Sequence, residues 1–230
     1  MRLAALPYHF KNFKYNSHDR ILNILGRANR SLRILDVGSA DGYLGEILKA
    51  QGHWLAGVER EGESAQRAQS HYDQFHCADI ESFDFPYRDE LDYILFADVL
   101  EHLRDPEAVL KRALPALKAH GEVIVSVPNI ANLVMRLSLL CGRFDYAERG
   151  ILDRTHLRFF TLASLKRMIE NCGCDLLVVS ATPIPVQSAL PFTDRPFFAP
   201  IHEIYYLLVR LWRTLLGYQF VVRVAPRINN

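Results

Sequence analysis

Five short stretches of this 230-residue chain hold residues whose types and spacing could do chemistry. In ILDVGSADGYLG (34–45), small residues at 38, 39, 40 and 42 would let backbone approach a ligand closely, and a following helix would offer free N–H groups. A dinucleotide-binding loop wants glycine at its first, third and sixth positions; counted from Gly38, these hold Gly38, Ala40 and Tyr43. Tyrosine at the sixth would obstruct helix–strand packing, and Asp36 would repel a pyrophosphate. The same carboxylate favours a ligand carrying positive charge, such as a sulfonium nucleoside. Glu59 closes WLAGVER about twenty residues beyond that loop, where a carboxylate can accept from both hydroxyls of a ribose. Asp79 and Ile80 follow in CADIESF (77–83).

The other two stretches suit an acceptor. In ADVLEHLRDP (97–106), His102 is the first candidate for a base, needed only if an acceptor must lose a proton. Glu101 beside it could help bind a metal or the acceptor, but reads more simply as a solvated acid, and no metal site is assigned. In RFDYAERGILDRTHLRFFT (143–161), Asp153 and His156 could pair as orienter and base, and Arg154 and Arg158 could meet an anion such as phosphate. The plainer reading has Asp153, Thr155 and Arg158 locking the loop while Phe159 and Phe160 fill the core.

These residues sit where short apolar runs end. Strands are expected at 32–37, 53–58, 75–78, 91–97, 122–127, 175–181 and 219–225, and helices at 17–29, 43–51 and 61–71. Asp105-Pro106-Glu107 has the cap, first-position proline and first-turn acid of a helix start; that helix should run toward Lys118, disturbed by Pro115 and closed by Gly121. An amphipathic helix is expected at 130–141, a loop at 142–160, and a helix capped by Thr161 and ended by Gly173. Such alternation argues an α/β fold, a doubly wound, mostly parallel sheet of seven strands with a helix inserted between the last two. The divisions are an arm and helix (1–30), a core (31–182), a Pro-punctuated linker with an amphipathic helix (183–217), and a last strand and tail (218–230).

On these residues the chain resembles the class I S-adenosylmethionine (SAM)-dependent methyltransferases. Asp36, Gly38, Ala40 and Gly42 resemble their first motif, an acid followed by G-x-G-x-G, with Ala40 in place of the middle glycine. The resemblance spans about residues 30–180. It implies that SAM is the cofactor, that Asp79 accepts the adenine amino group, that Ile80 packs on the adenine, and that Ala97 or Asp98 lies near the methionine part. The stretch D-V-L-E-H-L-x-D-P resembles a large bacterial methyltransferase group. G-I-L-D-x-T-H-L-R-F-F-T resembles methyltransferases of polysaccharide and glycolipid assembly and, more generally, ubiquinone-pathway relatives. The implied reaction is O-methylation of a sugar, lipid-linked glycan or small-molecule acceptor.

The bulk numbers narrow the field. With 27 Lys+Arg against 26 Asp+Glu, nothing points to nucleic acid as a partner. Cys77, Cys141, Cys172 and Cys174 lack zinc-site spacing and read as reduced core thiols of a cytosolic protein. No signal peptide or spanning helix is expected. Helix 201–216 sets Arg210 and Arg213 among Ile204, Tyr205, Leu208, Leu211, Trp212, Leu215 and Leu216, which suits peripheral contact with the inner face of a membrane, a homodimer contact, or packing on the sheet edge. Two rival functions stand: a non-catalytic SAM-binding partner of a membrane assembly, and a nicotinamide-dependent oxidoreductase.

Overall fold

The computed structural model describes residues 15–186, 193 and 195–227. Seven strands form one sheet: β1 (Arg33–Val37), β2 (Trp54–Glu59), β3 (Gln74–Cys77), β4 (Leu91–Ala97), β5 (Leu117–Pro128), β6 (Cys174–Thr182) and β7 (Gln219–Pro226), in the order 3-2-1-4-5-7-6. β1 to β5 pair parallel, and β7 is antiparallel to both β5 and β6. Strand residues of alternate parity feed two cores. Leu35, Val58, Phe96 and Val125 pack on one face, and Ile34, Leu55, Leu95 and Ile124 on the other. Both faces are dry because helices cover each, the usual condition for a parallel sheet.

Six helices lead up to the insert: α1 (Ser17–Leu25), α2 (Tyr43–Ala50), α3 (Gly62–Ala68), α4 (Pro106–Ala113), α5 (Leu133–Leu140) and α6 (Leu162–Asn171). Asp105 caps α4 through the Ala108 N–H at 2.9 Å, with Pro106 at its first turn. Helix α4 is shorter than the pattern suggests: a 3-10 turn at Leu114–Ala116 ends it and β5 already begins at Leu117. Gly121 therefore lies inside a strand rather than closing a helix. A Cβ there would sit 2.8 Å from the Leu91 carbonyl oxygen, at the register shift between Leu91 and Tyr93 where β4 and β5 come close.

The insert between β6 and β7 also departs from one long helix. It forms α7 (Ala199–Leu211) and α8 (Arg213–Leu216), broken at Trp212, whose φ of −129° and ψ of 65° are not helical. Val209 is its buried anchor; Tyr205 and Leu216 pack on the core, while Ile204, Leu208, Leu211 and Trp212 stay exposed. Helix α5 is likewise exposed around Leu133, Val134, Leu137, Leu139 and Leu140, with Met135 buried. No described helix is long and apolar enough to cross a membrane. Cys172 and Cys174 are buried as expected, but Cys77 and Cys141 are exposed, so not all four thiols belong to the core.

Asp92, at the start of β4, joins the leading ends of three strands. It accepts from Arg30 (2.7 Å), the Arg33 N–H (2.8 Å) and Lys118 (3.0 Å). Burial alone would raise its pKa, but those donors outweigh it and hold the carboxyl at about 2. A depressed folded pKa contributes stability that is present above the ordinary carboxylate range and lost as pH falls toward 2. Asp92→Asn is expected to lower unfolding free energy by about 1–2 kcal/mol at neutral pH. The difference should shrink on acidification, checked by urea unfolding of both proteins at neutral and acid pH.

Candidate cofactor and acceptor site

Strand order reverses between β1 and β4, and a ligand cleft in an open α/β sheet forms at such a switch beyond the strands' carboxyl ends. A cleft of about 220 Å³ lies there, with Gly38, Glu59, Asp79, Ile80, Asp98 and His102 on its wall. The loop leaving β1 is turned by its small residues. Gly38 has φ +69°, and a Cβ on it would come within 2.6 Å of Val99 Cγ2. Ala40 takes φ +46°, a left-handed conformation costing a non-glycine residue about 1 kcal/mol. Its N–H donates to Glu59 Oε2 at 2.9 Å, which holds it there. Gly42, at φ +83°, starts α2.

The loop's donors are largely spent on protein. Gly38 and Ser39 N–H both reach the Val58 carbonyl (2.8 and 3.2 Å), and Gly42 N–H the Ser39 carbonyl (2.9 Å). Few remain to cradle a pyrophosphate, whereas the wall offers carboxylate acceptors. Glu59 accepts one N–H on each oxygen, from Ala40 and from Glu61 (2.9 Å), and keeps lone pairs for further donors. Asp79 accepts the Glu81 N–H on Oδ1 at 2.9 Å and faces Arg60 at 3.7 Å. A Cβ-free approach beside two acceptor carboxylates and the Ile80 side chain fits the sugar, amino group and ring of a nucleoside.

Asp36 lies beneath the loop, not on the cleft wall, so its expected contact with ligand charge is not what the geometry presents. It is 2 % exposed and accepts from the Tyr72 hydroxyl at 2.6 Å. Burial pushes its pKa up to about 7; the Tyr72 bond opposes this and the Glu59 charge adds to it. Burial and then the Asp36 charge raise Tyr72, so the phenol keeps its proton and donates. Room for that ring comes from Gly45, where a Cβ would fall 2.5 Å from the Tyr72 hydroxyl. Nothing in the spacing of Tyr72 marked it. Ala97, half-buried at the end of β4, packs on the core rather than facing the cleft.

The acceptor side centres on the residues after β4. Asp98 has φ +58° and accepts from Ser126 Oγ (2.6 Å) and from Gln219 Nε2 on both oxygens (3.0 Å each). Gln219 comes from β7 and was invisible in the sequence. His102 Nδ1 lies 3.3 Å from the Thr155 carbonyl and 3.1 Å from Thr155 Oγ1, whose own proton goes to Asp153 Oδ1 at 2.6 Å. Both oxygens must then accept, which assigns the proton of neutral His102 to Nδ1 and the lone pair to Nε2. Burial first, then the neighbouring His156, lower the His102 pKa, so the ring is neutral at neutral pH.

Asp153 therefore orients His102 through Thr155; it does not pair with His156, as the sequence suggested. His156 Nδ1 reaches the Ile151 carbonyl at 3.0 Å, and the two imidazoles pack edge to face with centroids 4.8 Å apart. Arg154 pairs with Glu148 at 3.1 Å and Arg158 donates to the Arg104 carbonyl, so both serve the loop. Phe160 is buried as expected. Phe159 instead joins Phe144, Tyr146 and His156 in an aromatic cluster at the surface. Glu101, expected to be solvated, is 1 % exposed; its carbonyl holds the Leu157 and Arg158 N–H groups (2.8 and 3.0 Å).

The sheet order, with its reversed last strand over this cleft, is that of the class I, Rossmann-like methyltransferases. The magnesium protoporphyrin IX methyltransferase of Synechocystis PCC 6803, solved with bound S-adenosylhomocysteine, matches at a TM-score of 0.60 and 14% identity, covering 92% of this chain and 82% of that one. The [4+2]-cyclase SpnF matches at 0.59 and 15% identity, covering 92% and 82%, so the fold alone does not settle the activity. The sequence is more informative. A family described as a methyltransferase domain matches residues 9–179, and this chain belongs to it: it is a SAM-dependent methyltransferase. A ubiquinone biosynthesis O-methyltransferase of Bradyrhizobium diazoefficiens is 34% identical over 205 residues, 85% of this chain and 76% of the relative. The nicotinamide-dependent and non-catalytic alternatives fall with that membership.

The buried Asp36 has a pH consequence. A carboxyl whose folded pKa is raised contributes stability that is full below its ordinary value of 3.8 and lost as pH rises through about 7. Asp36→Asn keeps an acceptor for Tyr72 but no longer ionises. The variant is expected to unfold like wild type near pH 4 and to exceed it by about 4 kcal/mol near pH 8. Thermal unfolding across that range checks it; a pH-independent difference counts against the buried-carboxylate account.

Proposed function

We propose that this enzyme methylates a hydroxyl oxygen of a small, partly apolar acceptor, with Glu59 binding the ribose and Asp79 and Ile80 the adenine of SAM. In this reading Gly38, Ala40 and Gly42 shape the loop, Asp36 supports it from below through Tyr72, and Asp98 borders the methionine part. The observation that carries the acceptor assignment is His102, a neutral, oriented imidazole on the wall of the same cleft. When bound, SAM supplies an electrophilic methyl on a sulfonium. The chain's part is to align the acceptor and to take its proton at His102 Nε2, with Thr155 and Asp153 stabilising the charged ring.

The aromatic cluster of Phe144, Tyr146 and Phe159 beside His156 suits a ring or lipid chain, such as a phenol, and the ubiquinone biosynthesis O-methyltransferase relative lends weight to an oxygen acceptor. A lipid-linked sugar, which the G-I-L-D-x-T-H-L-R-F-F-T stretch suggested, is the second reading. Its expected phosphate contacts weaken because Arg154 and Arg158 are engaged within the loop. The exposed faces of α5 and α7 fit an acceptor drawn from a membrane surface, or a second copy of the chain.

Calorimetric titration with S-adenosylhomocysteine tests the cofactor assignment. Wild type is expected to bind, and Glu59→Ala and Asp79→Asn to bind about 10- to 100-fold more weakly, the loss of one charge-assisted hydrogen-bonding group. Transfer of labelled methyl from SAM is then measured onto a prenylated phenol and onto a polyprenyl-linked sugar. Product on the phenol supports the reading; product on the sugar alone overturns the acceptor class.

A further inference from the structure

Asp79 and Ile80 sit on a segment with no regular structure of its own. Between Cys77, where β3 ends, and Leu91, where β4 begins, the backbone forms neither helix nor strand. The carbonyls of such a segment still need donors. That of Asp79 accepts the Ser82 N–H at 3.1 Å. Those of Ile80 and Glu81 both accept from one nitrogen, Nη2 of Arg112, at 2.9 and 2.8 Å.

Arg112 lies in the last turn of α4, a helix seated on the core through Val109, Leu110 and Ala113. The start of the same helix grips the segment as well. The Glu81 carboxylate accepts the Arg104 N–H at 2.6 Å and, at 3.2 Å, the N–H of Asp105, the cap of α4. Residue 81 is therefore fastened to both ends of one helix, by its carboxylate at the first turn and its carbonyl at the last. Between those anchors the Glu81 N–H donates to Asp79 Oδ1 at 2.9 Å and sets the direction of that carboxylate.

We propose that Arg112 is a positioning residue for cofactor selection: from α4 it fixes the Ile80–Glu81 backbone, so that Asp79 accepts from the adenine amino group and from no other donor on the ring edge. The inference rests on the adenine assignment made above. A purine with a carbonyl in place of that amino group turns an acceptor toward Asp79, but carries an N–H on the neighbouring ring nitrogen. A carboxylate free to slide along the ring edge would accept that N–H and take either base. Held by the Glu81 N–H on a clamped backbone, it stays where it is and faces the carbonyl oxygen instead, an unfavourable pairing. The guanidinium suits the task because its planar fork fixes the directions in which the two N–H groups point. Lysine would restore the charge, but its chain is one atom shorter and its ammonium turns freely.

The test titrates the full chain calorimetrically with S-adenosylhomocysteine and with S-inosylhomocysteine, in which a carbonyl replaces the adenine amino group. Wild type is expected to prefer S-adenosylhomocysteine by about 10- to 100-fold. In Arg112→Met that preference should shrink about 10-fold, because S-adenosylhomocysteine binds more weakly while S-inosylhomocysteine stays within about 2-fold of its wild-type affinity. The retained S-inosylhomocysteine binding shows the variant folded with its ribose contacts in place. Arg112→Lys should fall between the two proteins. An unchanged preference in both variants, whether the two affinities hold or fall together, overturns the inference and leaves Arg112 as a brace for the fold. Wild type that binds both ligands equally counts instead against the adenine assignment, and wild type that binds neither against the cofactor site; the inference falls with either.

Discussion

The cleft depends on one close contact, the meeting of Gly38 with Val99. Gly38 ends β1 in a left-handed turn, and the space a Cβ would take is filled by the Val99 methyl. That contact joins the two halves of the sheet where the strand order reverses. Next to Val99, Asp98 takes its own left-handed turn at φ +58°, with Ser126 and Gln219 donating to its carboxylate. The 3-10 turn at Leu100–His102 follows directly and delivers His102 to the cleft wall. Cofactor loop and acceptor loop are thus one packed unit.

Ala40 shows how the same loop tolerates a departure from glycine. The position is left-handed in this chain, so alanine carries about 1 kcal/mol of strain, set against the greater unfolded-chain entropy a glycine would bring. The two terms are of similar size and nearly cancel. What then decides the conformation is the hydrogen bond from the Ala40 N–H to Glu59. The carboxylate assigned to the ribose is also the one that holds the loop open.

Periodicity made the strands legible because each is a short apolar run ended by glycine, proline or acid. It placed β4 at 91–97, Glu59 at the end of β2 and Asp79 just after β3, but began β5 five residues late. It misjudged Gly121, since a glycine after a helix looks the same whether it ends the helix or lets two strands approach. It misread Glu101 and Asp36 for a different reason. Burial of an acid is set by what closes over it, here the 150–160 loop for one and Tyr72 for the other, and neither leaves a local signature. The link from Asp153 through Thr155 to His102 was hidden in the same way, because it spans about fifty residues and depends on how the loop docks.

The charges around the cleft bear on what can enter it. Glu59, Asp79, Glu81 and Asp98 line it, and Arg60 is the cation on the wall. Such a field attracts a sulfonium and an ammonium and repels a pyrophosphate. Three nearby arginines are engaged elsewhere: Arg154 with Glu148, Arg158 with the Arg104 carbonyl, and Arg112 with the carbonyls of Ile80 and Glu81. A polyprenyl-pyrophosphate sugar would have to keep its phosphates outside the cleft and extend only the sugar inward. A neutral phenol meets no such penalty, and the aromatic surface beside His156 offers its ring a place to pack. The electrostatics of the wall, more than the shape of the fold, thus count against an anionic group inside the cleft.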